Sequence, residues 1–204
     1  MIEYPRPGYD AIQNDIVNNF ASRISKTNDN IKHIVIVGAY TGDEIYLLLK
    51  NYPNSIVTAF ECYPPYFTLL SNRFKDNKRV NIYPYAISDS NGTANFYQLN
   101  TIGCGSLLEF RGEQAGSKLR QDIGLSEIIT VPTFRLDYLV YDKIDLLWVD
   151  TQGVELKVLK GSPLSNIDSM FLEVHTRPSK EMSDPGPYMD QCYLEDRKST
   201  RLNS

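Results

Sequence analysis

The chain has 204 residues, enough for one domain with a short appendage, and its mix of 42% apolar and 23% charged residues excludes a disordered polymer. With 21 basic against 25 acidic residues the net charge is −4, which argues against a nucleic-acid binder working through a positive field. No stretch approaches the ~18 apolar residues that span a bilayer, and Cys62, Cys104 and Cys192 lack metal or disulfide spacing, so membrane proteins, zinc modules and disulfide scaffolds are set aside.

Tyr9 to Ile24 places Ile12, Ile16, Val17, Phe20 and Ile24 at helical spacing. This predicts an amphipathic helix on a sheet edge, and residues 1–30 read as a lead-in. From Ile31 onward short β-like runs alternate with helix-like runs, the pattern of βαβ units and a mostly parallel, doubly wound α/β sheet. His33-Ile34-Val35-Ile36-Val37 suits a strand buried on both faces. Gly38-Ala39-Tyr40-Thr41-Gly42 follows, then a helix from Asp43 to Lys50 with two acids in its first turn. Ser55 to Phe60 is the second strand, ending in Glu61. Pro64-Pro65 opens a helix whose apolar residues are Tyr66, Phe67, Leu69, Leu70 and Phe74. Val80 to Ile87 is expected to be the third strand, turned by Ser88–Gly92 into a returning strand, Thr93 to Leu99. Asn100 to Glu127 hold five glycines and suit a lid or binding loop. Ile128 to Val131 predicts a strand and Leu136 to Val140 a short element. Ile144 to Val149 is a further buried strand, ending in Asp150. A helix from Val154 to Lys160 follows, stopped by Gly161 and Pro163. Ser169 to Val174 is the last clear strand, running into His175. Residues 31–176 thus form the core. Residues 177–204 form an irregular tail, and 196–204 read as adaptor-derived sequence.

In an open parallel sheet, ligands bind beyond the carboxyl ends of the strands, where strand order reverses. The sequence places the Gly38–Gly42 loop, Glu61, Ala86 to Asp89, Asp150, and Glu173 with His175 at those ends. Gly38 and Gly42 either let the backbone approach a ligand closely or merely make a tight turn. Glu61 lies 23 positions beyond Gly38, where an acid can accept hydrogen bonds from ribose hydroxyls; the alternative is a solvated loop acid. Both features fit either a dinucleotide or S-adenosylmethionine. Tyr40 stands where a dinucleotide fingerprint needs its second glycine, and Asp43-Glu44 would repel a pyrophosphate. A sulfonium carries no phosphate and has a positive centre, which suits the carboxylates and, by cation–π contact, Tyr40. The balance favours S-adenosylmethionine over NAD.

Asp150 could orient or deprotonate an acceptor, or accept backbone N–H bonds at the next helix start. Glu155, in that helix's first turn, is expected to complement its dipole. Glu173 and His175, two apart, are expected on one face of a strand. With Asp150 they form an acid–base cluster, a weak metal site, or a set of ordinary polar groups. Cys62 reads as a pocket wall or a small buried residue, and Asn91-Gly92-Thr93 as a turn.

These residues resemble those of the FkbM-type S-adenosylmethionine-dependent methyltransferases, from about Ile34 to His175. Val37-Gly38-Ala39-Tyr40-Thr41-Gly42-Asp43 is similar to the family's V-G-A-N-x-G-D loop, and Ala59-Phe60-Glu61 to its A-F-E segment. Tyr85-Ala86-Ile87-Ser88-Asp89 resembles its A-[IL]-S-D segment, Gly105-Ser106-Leu107 its G-S-[SL] piece, and Phe171-Leu172-Glu173-Val174-His175 its L-E-V-H strand. The most specific run is Ile144 to Gly161, similar to D-x-[LI]-K-[IVL]-D-[VT]-[EQ]-G-x-E-x-x-[VL]-L-x-G.

The resemblance implies a Rossmann-like class I methyltransferase fold with S-adenosylmethionine as methyl donor; no metal is expected. It puts Gly38, Ala39, Tyr40 and Gly42 along the methionine side, Glu61 on the ribose, Ala86 and Ser88 near the adenine, and Asp150 near the reacting centre. Tyr40 replaces the family's usual Asn, and Trp148 its usual Lys. The family's C-terminal helix and antiparallel hairpin have no counterpart, so a C-terminally truncated fold is expected. The implied acceptor is a small molecule or sugar hydroxyl, attacked in line, with Asp150 or His175 as base, His175 being favoured on intrinsic pKa. A cytoplasmic enzyme without nucleic-acid or membrane partners is expected, with no indication of oligomeric state. The alternatives are a degenerate S-adenosylmethionine-binding domain without turnover and an NAD-dependent oxidoreductase.

Overall fold

Ile34 to Val37 are four β-branched residues in a row, which favour extended backbone and pack well on a pleated surface. They form the centre of the main sheet. The structure, a computed structural model, describes residues 9–24, 30–101, 103–110, 124–173, 175–176 and 193–194. In chain order the elements are α1 (Tyr9–Ile24), β1 (His33–Val37), α2 (Asp43–Asn51), β2 (Ile56–Phe60) and α3 (Pro64–Phe74). There follow β3 (Val80–Tyr83), β4 (Ala86–Ile87), β5 (Gly92–Leu99), β6 (Gly105–Ser106) and β7 (Leu125–Phe134). Then come α4 (Leu136–Leu139), β8 (Ile144–Val149), α5 (Glu155–Lys160), a 3₁₀ turn at Leu164–Asn166, β9 (Ile167–Leu172), β10 (His175–Thr176) and β11 (Tyr193–Leu194).

The main sheet runs β3-β2-β1-β8-β9 and is parallel throughout. The fold is α/β. Strand order reverses between β1 and β8, which makes their carboxyl ends the switch point. Alternation along the strands builds two cores. Ile34, Ile36, Leu146 and Trp148 face α1, α2 and α3, while Val35, Val37, Leu147 and Val149 face Leu136, Val140 and Val158. Each such fully buried aliphatic side chain contributes about 1.5–3 kcal/mol. At the opposite, amino end of the sheet, the buried Asp145 accepts hydrogen bonds from the N–H groups of Lys32 (2.8 Å) and His33 (2.9 Å), fixing the entry of β1.

A second sheet runs β4-β7-β5-β6, with β5 antiparallel to both β7 and β6. This corrects the expected third strand. Val80 to Ile87 is not continuous: β3 pairs with β2, whereas β4 joins β7 in the other sheet. Pro84 lies at the break, where a residue without an N–H cannot sustain the ladder. The strand after the Ser88–Gly92 turn therefore pairs with β7 instead of returning along β3. Among the described residues no helix is long and apolar enough to cross a membrane.

Candidate functional site

The switch point is built around Gly38. Its φ is +82°, and a Cβ there would lie 1.8 Å from the carbonyl oxygen of Asp150, so only glycine lets the exits of β1 and β8 approach this closely. Gly38 and Ala39 donate their N–H groups to the Phe60 carbonyl oxygen, each at 3.1 Å, which ties the turn to the end of β2. Gly42, at φ +81°, enters α2, and a Cβ on it would meet Leu70 at 2.5 Å and Phe74 at 2.6 Å on α3.

Glu61 follows β2 and is buried. Its Oε2 accepts from the N–H of Tyr40 at 2.8 Å and its Oε1 from the N–H of Tyr63 at 2.8 Å. Burial pushes its carboxyl up to about 7, against the lowering effect of those two backbone donors. A carboxylate offers about four lone-pair sites, so two remain for a ligand's hydroxyls. Burial also raises the neighbouring Cys62 thiol well above its ordinary value, with the Glu61 charge adding to it.

A second group of acids stands at the ends of β8 and β9. The Gln152 side-chain amide donates to Asp150 Oδ1 at 2.7 Å and to Glu173 Oε2 at 2.9 Å. Burial, followed by the hydrogen bond and charge of Glu173, pushes Asp150 well above the usual carboxylate range. Glu44, in the first turn of α2, is raised to about 7, mainly by burial, with the charges of Asp43 and Glu173 adding to it. Asp43 is paired with Arg73 at 2.6 Å. Glu155 organises the turn between β8 and α5: its Oε1 accepts from Thr151 N–H (3.1 Å), Thr151 Oγ1 (3.1 Å) and Gly153 N–H (3.0 Å).

Between Glu61 and Asp150 lies a cavity of about 570 Å³, its open mouth included. The main sheet contributes Gly38, Tyr40, Glu61, Cys62 and Asp150 to its wall; the second sheet contributes Ala86, Phe96, Gly105 and Ser106. None of the described residues lining it is basic. Tyr40 (φ +47°) and Gln152 (φ +55°), the non-glycine residues with positive φ among those described, both line it. Backbone held in that region gathers where surrounding structure enforces a particular geometry.

The chain matches the family description "Methyltransferase FkbM domain" over residues 37–197. The chain belongs to the FkbM methyltransferase family. No curated protein matches it. Among solved structures, this FkbM-family chain is similar to SAM-bound CalS10, an amino pentose methyltransferase from Micromonospora echinaspora involved in calicheamicin biosynthesis. The identity is 19% and the TM-score 0.30, over 40% of this chain and 36% of that one. It is also similar to the plantazolicin methyltransferase BpumL in complex with SAH, at 10% identity and TM-score 0.44, over 85% of this chain and 55% of that one.

Sequence reasoning placed Gly38, Tyr40, Glu61, Cys62, Ala86 and Asp150 at one site, and all six line the cavity. Ala39, Gly42 and Ser88 do not. Ala39 is buried in the main core, Gly42 is packed on α3, and the Ser88 carbonyl oxygen lies 2.0 Å from where a Cβ on Gly161 would be. The expectation that Glu173 and His175 share one strand face does not hold. Glu173 lies just past β9, its N–H donating to the Val149 carbonyl oxygen at 3.0 Å, and His175 belongs to β10, which pairs with β11. The His175 side chain lies outside the described residues, as does Cys192. Glu155 does more than complement a dipole, since it gathers three donors of its own loop. The lid expected over Asn100 to Glu127 is described in part, and its β6 lines the cavity; residues 111–123 lie outside the description. Tyr66, Phe96, Ser106 and Gln152 were not singled out as site residues. Their signal is tertiary: each reaches the cavity from a different element.

Proposed function

We propose that this chain binds S-adenosylmethionine in the cavity between Glu61 and Asp150 and transfers its methyl group to a hydroxyl of a small molecule or sugar. The observation that carries the reading is the buried Glu61 carboxylate, fixed by two backbone donors beside the Gly38 turn at the switch point. Membership of the FkbM family supports the reaction class. The donor set suits a cation. Asp150 lines the cavity, Glu44 and Glu173 lie next to it, and none of the described lining residues is basic to receive a pyrophosphate. That favours a sulfonium over a nicotinamide dinucleotide.

Glu61 would accept hydrogen bonds from the ribose hydroxyls, with Cys62 and Ala86 along the adenine. The backbone from Gly38 to Tyr40 would lie against the methionine portion. When bound, the sulfonium supplies an electrophilic methyl group for in-line displacement. The protein's part is alignment and exclusion of water, helped by the closely packed Tyr40 and Tyr66 rings, 4.6 Å apart between centroids. A base for a hydroxyl works best with a proton affinity near the working pH, and burial beside Glu173 lifts Asp150 toward it. Asp150 is the base this geometry supports. His175, two residues past Glu173, is the second candidate on intrinsic pKa.

Calorimetric titration with S-adenosylmethionine tests the cofactor half. The wild-type chain should bind, and Glu61→Ala should weaken binding at least about tenfold, the loss expected when charged hydrogen bonds to a ligand are removed. Unchanged binding by a folded Glu61→Ala chain would sink this pocket assignment. Formation of S-adenosylhomocysteine across a panel of hydroxyl and amine acceptors separates an active enzyme from a binding domain without turnover.

A further inference from the structure

Gln152 holds an unusual place. It adopts a left-handed backbone conformation, φ +55°, that an L side chain enters only when its surroundings enforce it. Two contacts do so. The hydroxyl of Ser106, on β6 of the second sheet, donates to the Gln152 carbonyl oxygen at 2.9 Å across 46 residues of sequence. Gly153, at φ +105°, follows with its N–H held by Glu155 at 3.0 Å. The side-chain amide then reaches two carboxyl groups on separate elements at once, Asp150 at 2.7 Å and Glu173 at 2.9 Å. One NH₂ group has two hydrogens, and both are used in bringing the acids together.

We propose that Gln152 is a positioning residue that clamps Asp150 and Glu173 into one acid pair at the cavity wall, with Ser106 locking the clamp from the second sheet. This rests on the reading of the cavity as an S-adenosylmethionine site. Asp150 lines the cavity and Glu173 is tied to it through Gln152, so their charge acts on a sulfonium there and much less on an uncharged thioether. The clamp therefore tunes the preference for the charged methyl donor over its neutral product. The groups facing Asp150 are Glu173 beyond β9 and Glu44 in α2. Asp43 and Arg73, on α2 and α3, bear on Glu44 and pair with each other. Arg73 is thus already engaged by Asp43, and the amide of Gln152 is the donor that reaches both members of the pair.

The amide's N–H at Asp150 favours the ionised form of that carboxyl. A cation does the same, so binding S-adenosylmethionine expels the proton from Asp150, whereas S-adenosylhomocysteine, whose thioether is uncharged, does not. Protons released equally by both ligands report Glu61; the excess released by S-adenosylmethionine reports Asp150 and its neighbour Glu44, and its change in Gln152 variants reports the clamp. That excess is measured by calorimetry in buffers of different ionisation enthalpy, from about pH 4 to pH 7, below the range in which an α-amino group of either ligand titrates.

Gln152→Gly removes the amide and suits the left-handed backbone, so the loop keeps its shape and the chain its fold. Its excess proton release should have a midpoint shifted upward by about one pH unit, the size expected from losing one charge-directed hydrogen bond. Ser106→Ala should shift the midpoint in the same direction by less. Gln152→Glu, which replaces the donor by a third carboxylate, should shift it furthest. A purely structural role would lower stability and leave these midpoints in place. Midpoints that coincide in wild type and Gln152→Gly, or an excess that is absent in wild type, overturn the clamp while the cofactor reading stands. Failure of both ligands to bind wild type overturns the reading and the clamp with it.

Discussion

Glu61 sets burial against hydrogen bonding, and burial wins. Its carboxyl is raised to about 7 although Tyr40 and Tyr63 both donate to it. In the unfolded chain it ionises near its ordinary value of 4.5. Between those two values the folded chain holds a proton that the unfolded chain has released. Stability is therefore lost as pH rises from about 4.5 to about 7 and levels off above, by roughly 3 kcal/mol for this group alone. Urea unfolding at pH 5 and pH 8 should give a drop in wild type that shrinks by about this amount in Glu61→Ala. The stranded N–H groups of Tyr40 and Tyr63 cost the same at both pH values and cancel in the comparison. A drop that is equal in the two proteins would contradict the assignment. Gly38 makes a simpler case. An alanine Cβ would meet the Asp150 carbonyl oxygen at 1.8 Å with φ at +82°, and neither partner is a flexible side chain. Gly38→Ala should lose more than about 3 kcal/mol in denaturant unfolding.

At the level of elements, Trp148 replaces a lysine that the family resemblance leads one to expect, and the reason is packing. Its ring stacks on Phe171 with centroids 3.8 Å apart at 12°, and Phe20 of α1 meets it edge-on at 5.6 Å. The side chain points into the core under α1, on the opposite face of β8 from Val149. Trp148→Lys would bury an ammonium between the Phe20 and Phe171 rings and leave space behind. It should cost at least about 3 kcal/mol, whereas Trp148→Phe, which keeps the stack, should cost less. Equal losses in thermal or urea unfolding would argue against the aromatic stack as the cause. The same face logic explains what the sequence revealed. β1, β2 and β8 are buried β-branched or aliphatic runs between glycine, proline and polar breaks, and their ends could be read to within a residue or two. With them came Gly38, Glu61 and Asp150, because strand ends position ligands in a parallel sheet. The second sheet was obscure for physical reasons. Leu125 to Ile128 are exposed, so the first half of β7 carries no apolar alternation, and its partner β5 lies across a long connection. The Ser106–Gln152 contact was invisible because it depends on a left-handed residue meeting a strand from another sheet.

For the whole molecule, the consequence is a cavity with two walls of different stability. The main sheet is buried on both faces through β1 and β8, while β6 is a two-residue strand held by β5. Tyr63, at the start of α3, bridges the two sheets by donating its hydroxyl to Glu127 on β7. Gly105 sits where β6 passes over Phe96: a Cβ there would lie 2.2 Å from the Phe96 ring and 2.8 Å from Gln98 Oε1. Gly105→Val must therefore lift β6 or displace Phe96, and both line the cavity. Neither movement touches Ile34, Ile36, Leu146 or Trp148. Trp148 is the chain's single tryptophan, so its fluorescence reports unfolding of the main core and little else. Gly105→Val should leave the fluorescence-detected unfolding midpoint nearly unchanged while weakening S-adenosylmethionine binding by about tenfold or more, equivalent to roughly 1.4 kcal/mol. If affinity falls only in step with the loss of folded core, the second sheet is not an independent wall of the site. If affinity stays the same while the core is intact, the ligand does not lie under β6, and the cavity must be closed from elsewhere.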